Sequence, residues 1–238
     1  DKLCDTARAI ITETDYAARF LCERFSHLAD RVHRIYNGLD LAEFGRADFS
    51  SMPPLIIAVG RLIPKKGFGD LIRACALIAE RGKSFCCEII GEGPLENELR
   101  GQINELGLQK NVELPGAKPQ TQLRRRLAAA NVFVLPSVID PDGGMDNLPT
   151  VIMEAMATGL PVVSTKIGGI PEMVVENETG FLVQAGDAAA MADAIETVIN
   201  DSSSAAKLGR AGYERARTLF SIEGNVRELC ALICSAAL

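Results

Sequence analysis

Short apolar runs alternate with helix-length stretches along almost the whole chain, and that rhythm restricts the fold more than any other feature. The runs are AIITET (9–14), RVHRIY (31–36), PLIIAV (54–59), SFCCEIIG (84–91), NVELPG (111–116), NVFVLP (131–136), PVVST (161–165) and FLVQ (181–184). Interleaved with them are DYAARFLCERF, GFGDLIRACALIAERG, GPLENELRGQINELG, TQLRRRLAAA, LPTVIMEAMATG and DAAAMADAIETVIND. Strands with no polar face need cover on both sides, and parallel neighbours need a crossover long enough to hold a helix. The pattern therefore predicts an α/β chain with a doubly wound, Rossmann-like parallel sheet.

Two breaks divide this layout. NGLDLAEFGRADFSSMPP, from residue 37, carries turn residues, charges and paired prolines before a fresh strand begins, and reads as a linker. Beyond about residue 200 only helical pattern remains, with Ser221 as N-cap of a last helix that carries Ile222, Val226, Leu229 and Ile233 near one face. Residues 1–48 are thus expected to be the remnant of a preceding unit, 49–220 a complete domain, and 221–238 a separate C-terminal helix. With Asp1 where an initiator would stand, the chain is expected to be a processed product or a piece of something longer.

Bulk properties exclude several functions. A net charge of −6 argues against nonspecific nucleic-acid or membrane binding, and the one basic run, RRR at 124–126, fits a solvated helix face. No apolar run reaches membrane-spanning length. Seven cysteines without a CxxC pair, and two histidines near the start, speak against a disulfide framework or zinc site and for reduced thiols in the cytoplasm.

In an open parallel sheet, ligands sit beyond the carboxyl ends of the strands. In AVGRLIPKKGFGDLI, Gly60 allows close backbone approach, and Arg61 and Lys66 converge near a helix start; together they suit a phosphate or diphosphate. Lys65 reads instead as a solvated turn residue. Neither a Walker loop nor a complete dinucleotide fingerprint is present, which argues against an oxidoreductase. Gly91 and Gly93, in IIGEGPLENEL, are explained by a tight turn before a helix starting at Pro94 and are a weak signal taken alone, but both are expected among the residues that bind a nucleotide sugar. Gly116 to Lys118 reach the same edge, and Ala117 there is placed to border a base.

DNLPTVIMEAMATG (146–159) is apolar nearly all round apart from Glu154, a costly place for a carboxylate without a partner. With Asn147 as N-cap, the free amides of the helix start over Leu148, Pro149 and Thr150, Pro149 itself lacking an N–H, would face outward, and about 10 Å of helix separates Asn147 from Glu154. That length spans a ribose, a diphosphate and a sugar. Glu154 would take ribose hydroxyls, the helix start phosphate, and Asp146 the sugar. The competing reading makes Glu154 half of a structural ion pair; it explains neither Asp146 nor Gly143–Gly144. Glu172, in GGIPEMV, is read as complementing its own helix dipole.

Taken in order, YNGLDLAEF, VGRLIPKKG, IIGEGPLENEL, VELPGA, ANVFVLPS, DNLPTVIMEAMATGLPVVST, GGIPEMV and ETGFLV resemble the donor-nucleotide half of retaining glycosyltransferases of family 4, which have the two-domain GT-B architecture. The segments cover most of residues 31–184, and their combination is specific. The resemblance implies that Arg61 and Lys66 hold the donor diphosphate, that the Leu148–Thr150 amides touch phosphate, and that Glu154 binds ribose. It implies catalytic roles for Asp146 and Glu154, with Asp146 standing where the family usually has glutamate, near the reacting end of the sugar. It further implies a UDP-sugar or GDP-sugar donor, retention by same-face displacement, no metal or other cofactor, and a setting in polysaccharide biosynthesis.

A full enzyme of this kind has an N-terminal acceptor domain before the equivalent of residue 1. This chain is therefore expected to bind a nucleoside-diphosphate sugar and to transfer little alone, with any peripheral membrane association made only through the missing half. Two alternatives stay open: a non-catalytic nucleotide-sugar-binding module, and a sugar-nucleotide epimerase of the same fold. The epimerase would need further acid/base groups, and no histidine follows His33.

Overall fold

The computed structural model describes residue 4 and residues 6–237. Its main body is a six-stranded, wholly parallel sheet built from β3 (Leu55–Val59), β4 (Cys86–Ile90), β5 (Val112–Glu113), β6 (Val132–Leu135), β7 (Val162–Thr165) and β8 (Gly180–Val183), in the spatial order β5-β4-β3-β6-β7-β8. Every residue of β3, β6 and β7 is buried, as the unbroken apolar runs require. The polar exceptions in β7 are satisfied: Ser164 and Thr165 hydroxyls donate to the Leu135 and Ser137 carbonyls, each at 2.6 Å. The expected doubly wound Rossmann-like sheet is what the chain forms.

Helices cover both faces. α2 (Phe68–Glu80) packs against α3 (Glu96–Glu105) and α7 (Ala188–Asn200); α5 (Thr150–Thr158) packs against α4 (Gln120–Ala128) and α8 (Ser202–Leu219). The winding reverses between β3 and β6, so the loops leaving those two strands diverge and open a crevice. Two boundaries differ from the sequence reading. Helix α3 starts at Glu96 rather than Pro94, because the Leu95 amide is held by the Leu62 carbonyl at 3.1 Å. Strand β5 has only two residues at the sheet edge, just short of Pro115.

The N-terminal strands do not join this sheet. β1 (Ile10–Thr12) and β2 (Val32–Arg34) pair in parallel as a small sheet of their own, flanked by α1 (Asp15–Arg24). Glu172, in the short α6 (Ile170–Met173), holds this unit down. Its carboxylate accepts from the Asp15 and Tyr16 amides at 2.8 and 2.7 Å and from the Tyr36 hydroxyl at 3.1 Å. The residue is structural, as expected, but the helix start it serves is chiefly that of α1. Burial, followed by this carboxylate, pushes the Tyr36 phenol up to about 12.

The stretch read as a linker is bonded along its length. The Ala47 amide takes the Thr158 carbonyl at 2.9 Å, Asp48 takes Ala128 at 3.3 Å, and the Phe49 carbonyl accepts from Asn131. Carbonyls in the last turn of a helix have no partner within it, and this segment supplies donors to those of α4 and α5. Helix α9 (Ile222–Ala237) starts where Leu39 exchanges hydrogen bonds with Phe220 and Ile222. Along it Ile222, Val226 and Ile233 are 41%, 49% and 57% exposed.

Candidate functional site

The crevice at the switch point is built from the loop after β3 and the loop after β6. After β3, Pro64 begins a single 3-10 turn, Pro64–Lys66, and Gly67 ends it at φ +65. A Cβ on Gly67 would fall 1.9 Å from the Pro136 carbonyl oxygen, so the two loops touch backbone to backbone here. The turn sends Lys65 and Lys66 toward the β6 loop. Gly60 makes room for the Lys66 stem: its own Cβ would lie 3.3 Å from Lys66 Cε.

Asp146 receives both lysines. Lys66 Nζ donates to Asp146 Oδ2 at 2.8 Å, Ser137 Oγ donates to the same oxygen at 2.7 Å, and Lys65 Nζ lies 3.7 Å from Oδ1. Asp146 is 7% exposed, a depth at which an unpaired carboxylate would be strongly disfavoured. The structural ion pair weighed for Glu154 is thus found at Asp146. Lys65, expected to be a solvated turn residue, is drawn into the same cluster.

Glu154 lies one turn into α5 and is half-buried. Its Oε1 accepts from Gln120 Nε2 at 3.5 Å, and among the described residues it forms no ion pair. Burial raises its carboxyl pKa, opposed by Gln120 and Arg124. A carboxylate set at a helix face with one long hydrogen bond keeps most of its acceptor capacity for something else.

Asn147 is not the cap of α5. The helix begins at Thr150 with Pro149 in the cap position, and Asn147 turns to the N-terminal unit: its Oδ1 accepts from Thr14 Oγ1 at 2.8 Å and its Nδ2 donates to Glu13 Oε1 at 3.2 Å. A proline with no capping side chain leaves the first amides of α5 without partners inside the helix. Leu148 and Pro149 are buried and Thr150 is exposed. The Gly143–Gly144 pair serves a turn, in which the Gly144 amide donates to Asp140 Oδ1 at 2.7 Å.

Beside this cluster opens a cavity of about 410 Å³. Val59, Ile90 and Leu123 line it together with Gly60, Arg61, Gly91, Glu92, Ala117 and Lys118, which brings together Gly60, Arg61, Gly91 and Ala117 of the site residues expected from the sequence. The side chains of Arg61, Glu92 and Lys118 make no hydrogen bond or ion pair among the described residues. Gly91 and Gly93 answer chiefly to packing. Cβ atoms there would lie 1.9 Å from the Gly60 oxygen and 2.5 Å from the Leu62 oxygen, and Gly91 has φ +154. Gly91 still borders the cavity; Gly93 does not.

Sequence reasoning passed over Ser137 and gave Lys118 no role of its own. Ser137 follows the apolar run NVFVLP directly, at the carboxyl end of a central strand, and that position was its only signal.

The profile of the family described as Glycosyl transferases group 1 matches residues 42–215. Over 166 residues the chain is 40% identical to the amylovoran biosynthesis glycosyltransferase AmsK of Erwinia amylovora, covering 69% of this chain and 41% of that protein. The sucrose-phosphate synthase of Thermosynechococcus elongatus superposes with a TM-score of 0.84 at 27% identity, covering 98% of this chain and 59% of that one. Anabaena HepE, solved in complex with UDP, superposes with a TM-score of 0.85 at 24% identity, covering 96% and 64%. The chain spans about half or less of the length of the curated relatives it matches at about 40% identity. Its sheet is one Rossmann-like unit of the GT-B architecture. With the profile spanning most of the domain and a relative at 40% identity over more than two thirds of the sequence, the chain belongs to the group 1 glycosyl transferases.

Proposed function

We propose that this chain is the donor-binding part of a glycosyltransferase that moves a sugar from a nucleoside diphosphate to an acceptor with retention of configuration. The observation that carries the reading is the cavity beyond β3, lined by Arg61, which has no side-chain partner among the described residues, and by Gly60, on which the Lys66 stem lies. Glu154, with its one long hydrogen bond to Gln120, supports it. The base enters the cavity bordered by Ala117, Arg61 and Lys66 hold the diphosphate, and Glu154 accepts from the ribose hydroxyls. Gln120, which touches Glu154, stands two residues beyond Lys118 on the cavity rim, so the ribose and base positions adjoin. As the glycosidic bond breaks, charge develops on the departing diphosphate, and fixed cations beside it lower that barrier. No metal is assigned a part in this scheme.

The acceptor side belongs to a further domain that seats against the exposed apolar side chains of α9, Ile222, Val226 and Ile233. HepE, whose structure holds UDP, supports a nucleotide ligand for this fold. Calorimetric titration of the chain with UDP, GDP and ADP and their sugar conjugates tests the reading. One nucleoside diphosphate should bind, and Glu154→Ala should weaken it about tenfold or more, the loss of two hydrogen bonds to a charged acceptor. Absence of binding by all three, or an unchanged affinity in the variant, would contradict the proposal.

A further inference from the structure

Glu154 on α5 has a charged neighbour that does not pair with it. Gln120, whose Nε2 donates to Glu154 Oε1 at 3.5 Å, begins α4, and Arg124 stands one turn further along the same face of that helix. Arg124 lies near enough to favour the charged form of Glu154, yet its ion pair is made elsewhere. Its Nη2 donates to Glu43 Oε2, and its guanidinium lies 5.1 Å from the centre of the Phe44 ring. Its Nε is buried and has no hydrogen-bond partner among the described residues, so the fork keeps donor capacity. Glu43 closes the 3-10 turn Leu41–Glu43, at the start of the segment that leads into β3. That segment then ties down both helices one turn beyond the two charged residues. Thr158, four after Glu154, gives its carbonyl to the Ala47 amide at 2.9 Å, and Ala128, four after Arg124, gives its carbonyl to Asp48 at 3.3 Å.

The Arg124 side chain is 24% exposed and that of Glu43 50%, and ion pairs so placed contribute about 1 kcal/mol at most. The consequence of this pair is therefore direction more than stability. A guanidinium closed on Glu154 would occupy the carboxylate oxygens that ribose hydroxyls need. A guanidinium taken away would leave burial, which raises the Glu154 pKa, opposed by Gln120 alone, and a protonated acid is a poorer acceptor. The charged groups concerned are Arg124 from α4, acting on Glu154, and Glu43 from the preceding segment, paired with Arg124. We propose that Arg124 is a positioning residue for the ribose-binding acid: paired with Glu43 and lying against Phe44, it stands close enough to keep Glu154 ionised and is held back from pairing with it. The segment that enters the sheet domain thereby reaches the donor site through Arg124. This rests on the donor-site reading, which gives Glu154 the ribose, and adds Arg124, Glu43 and Phe44 to it.

Two readouts on the whole chain test this: the carboxyl NMR titration of Glu154 without ligand, its signal identified by its loss in Glu154→Gln, and calorimetric titration with UDP, or GDP if the unaltered chain prefers guanine, at several pH values. Arg124→Gln should move the Glu154 titration to higher pH, with a loss of affinity that grows as pH falls. Glu43→Gln should move it the other way, to lower pH, and weaken the nucleotide by about fivefold at neutral pH as Arg124 closes on the carboxylate. The double variant Glu43→Gln/Arg124→Gln should match Arg124→Gln alone, because Glu43 acts only through Arg124. The opposite signs are what a purely structural ion pair would not give, and Glu43→Gln carries the test by itself if Arg124→Gln fails to fold. Shifts of the same sign in the two single variants, an unmoved Glu154 titration, or a double variant that adds the two losses would overturn the inference. Opposite shifts without any change in affinity would overturn it too, while leaving the donor site standing. Failure of the unaltered chain to bind either nucleotide would sink the donor-site reading itself, whatever Glu154 does.

Discussion

The two loops that form the crevice are held in different ways. On the β3–β4 side, backbone lies on backbone: Gly91 sits against the Gly60 carbonyl and Gly93 against Leu62, tied by the Leu62 amide to the Glu92 carbonyl at 2.9 Å. On the β6–α5 side, backbone contact at Gly67 and Pro136 is joined by side chains, the Asp146 cluster and Asn147, which reaches Thr14 and Glu13. Steric fit of that kind is independent of pH and salt, and it tolerates no added atom. A charged cluster tolerates small shifts, and can exchange partners with a ligand. The glycine side is accordingly scaffold, with Arg61, which has no side-chain partner among the described residues, lining the cavity; on the charged side, residues proposed to bind the donor also hold the loops together.

The sharpest way to break this contrast is Gly91→Ala. Its Cβ would overlap a carbonyl oxygen at a positive φ, so the variant should lose about 3 kcal/mol or more, read as a lower urea midpoint. A wild-type midpoint would mean that the two loops can part freely. A smaller effect is expected from Asn147→Ala, which removes the side-chain bonds to Thr14 and Glu13. About 1 kcal/mol should be lost, and amide exchange should quicken in residues 10–36 before the main sheet responds. Uniform exchange across the chain would show that the N-terminal unit does not depend on this contact.

The smallest effect has the opposite sign. Burial raises the Glu154 pKa in the folded chain, so the folded state binds its proton more tightly than the unfolded state does. The stability tied to that proton is present below the ordinary carboxylate range and is lost as pH rises through the raised value. At pH 7 Glu154→Gln should therefore melt slightly higher than the unaltered chain, by about 1 °C, with the gap closing as pH falls toward 4. The same variant should bind nucleotide less well. A lower melting point at pH 7 would assign Glu154 to the scaffold and remove the contrast.

Much of this was legible before any coordinates. β3, β6 and β7 are buried on both faces, so their apolar runs could not be mistaken, and an all-parallel arrangement followed from the helices between them. Glu154 stood out because an acid in an apolar helix has few explanations, and the structure leaves it half-buried with one long hydrogen bond. What escaped was long-range and polar. Nothing local reveals that Asn147 serves a contact 133 residues away, leaving Pro149 to start the helix. Nor could spacing show that Lys65, Lys66 and Ser137 converge on Asp146, since that depends on how the β3 and β6 loops face each other across the switch point. Gly91 and Gly93 were readable as necessary, but not as necessary for packing, because the atoms they make room for belong to another loop.

The central claim is that Arg61, Lys66 and Glu154 serve one ligand. A crystal structure of the chain soaked with the nucleoside diphosphate it binds best tests this most directly. The account predicts diphosphate oxygens within hydrogen-bond reach of Arg61 and Lys66 and ribose hydroxyls on Glu154. A nucleotide seated away from the β3–β6 switch point, or one touching Arg61 while Glu154 keeps only Gln120, would contradict it.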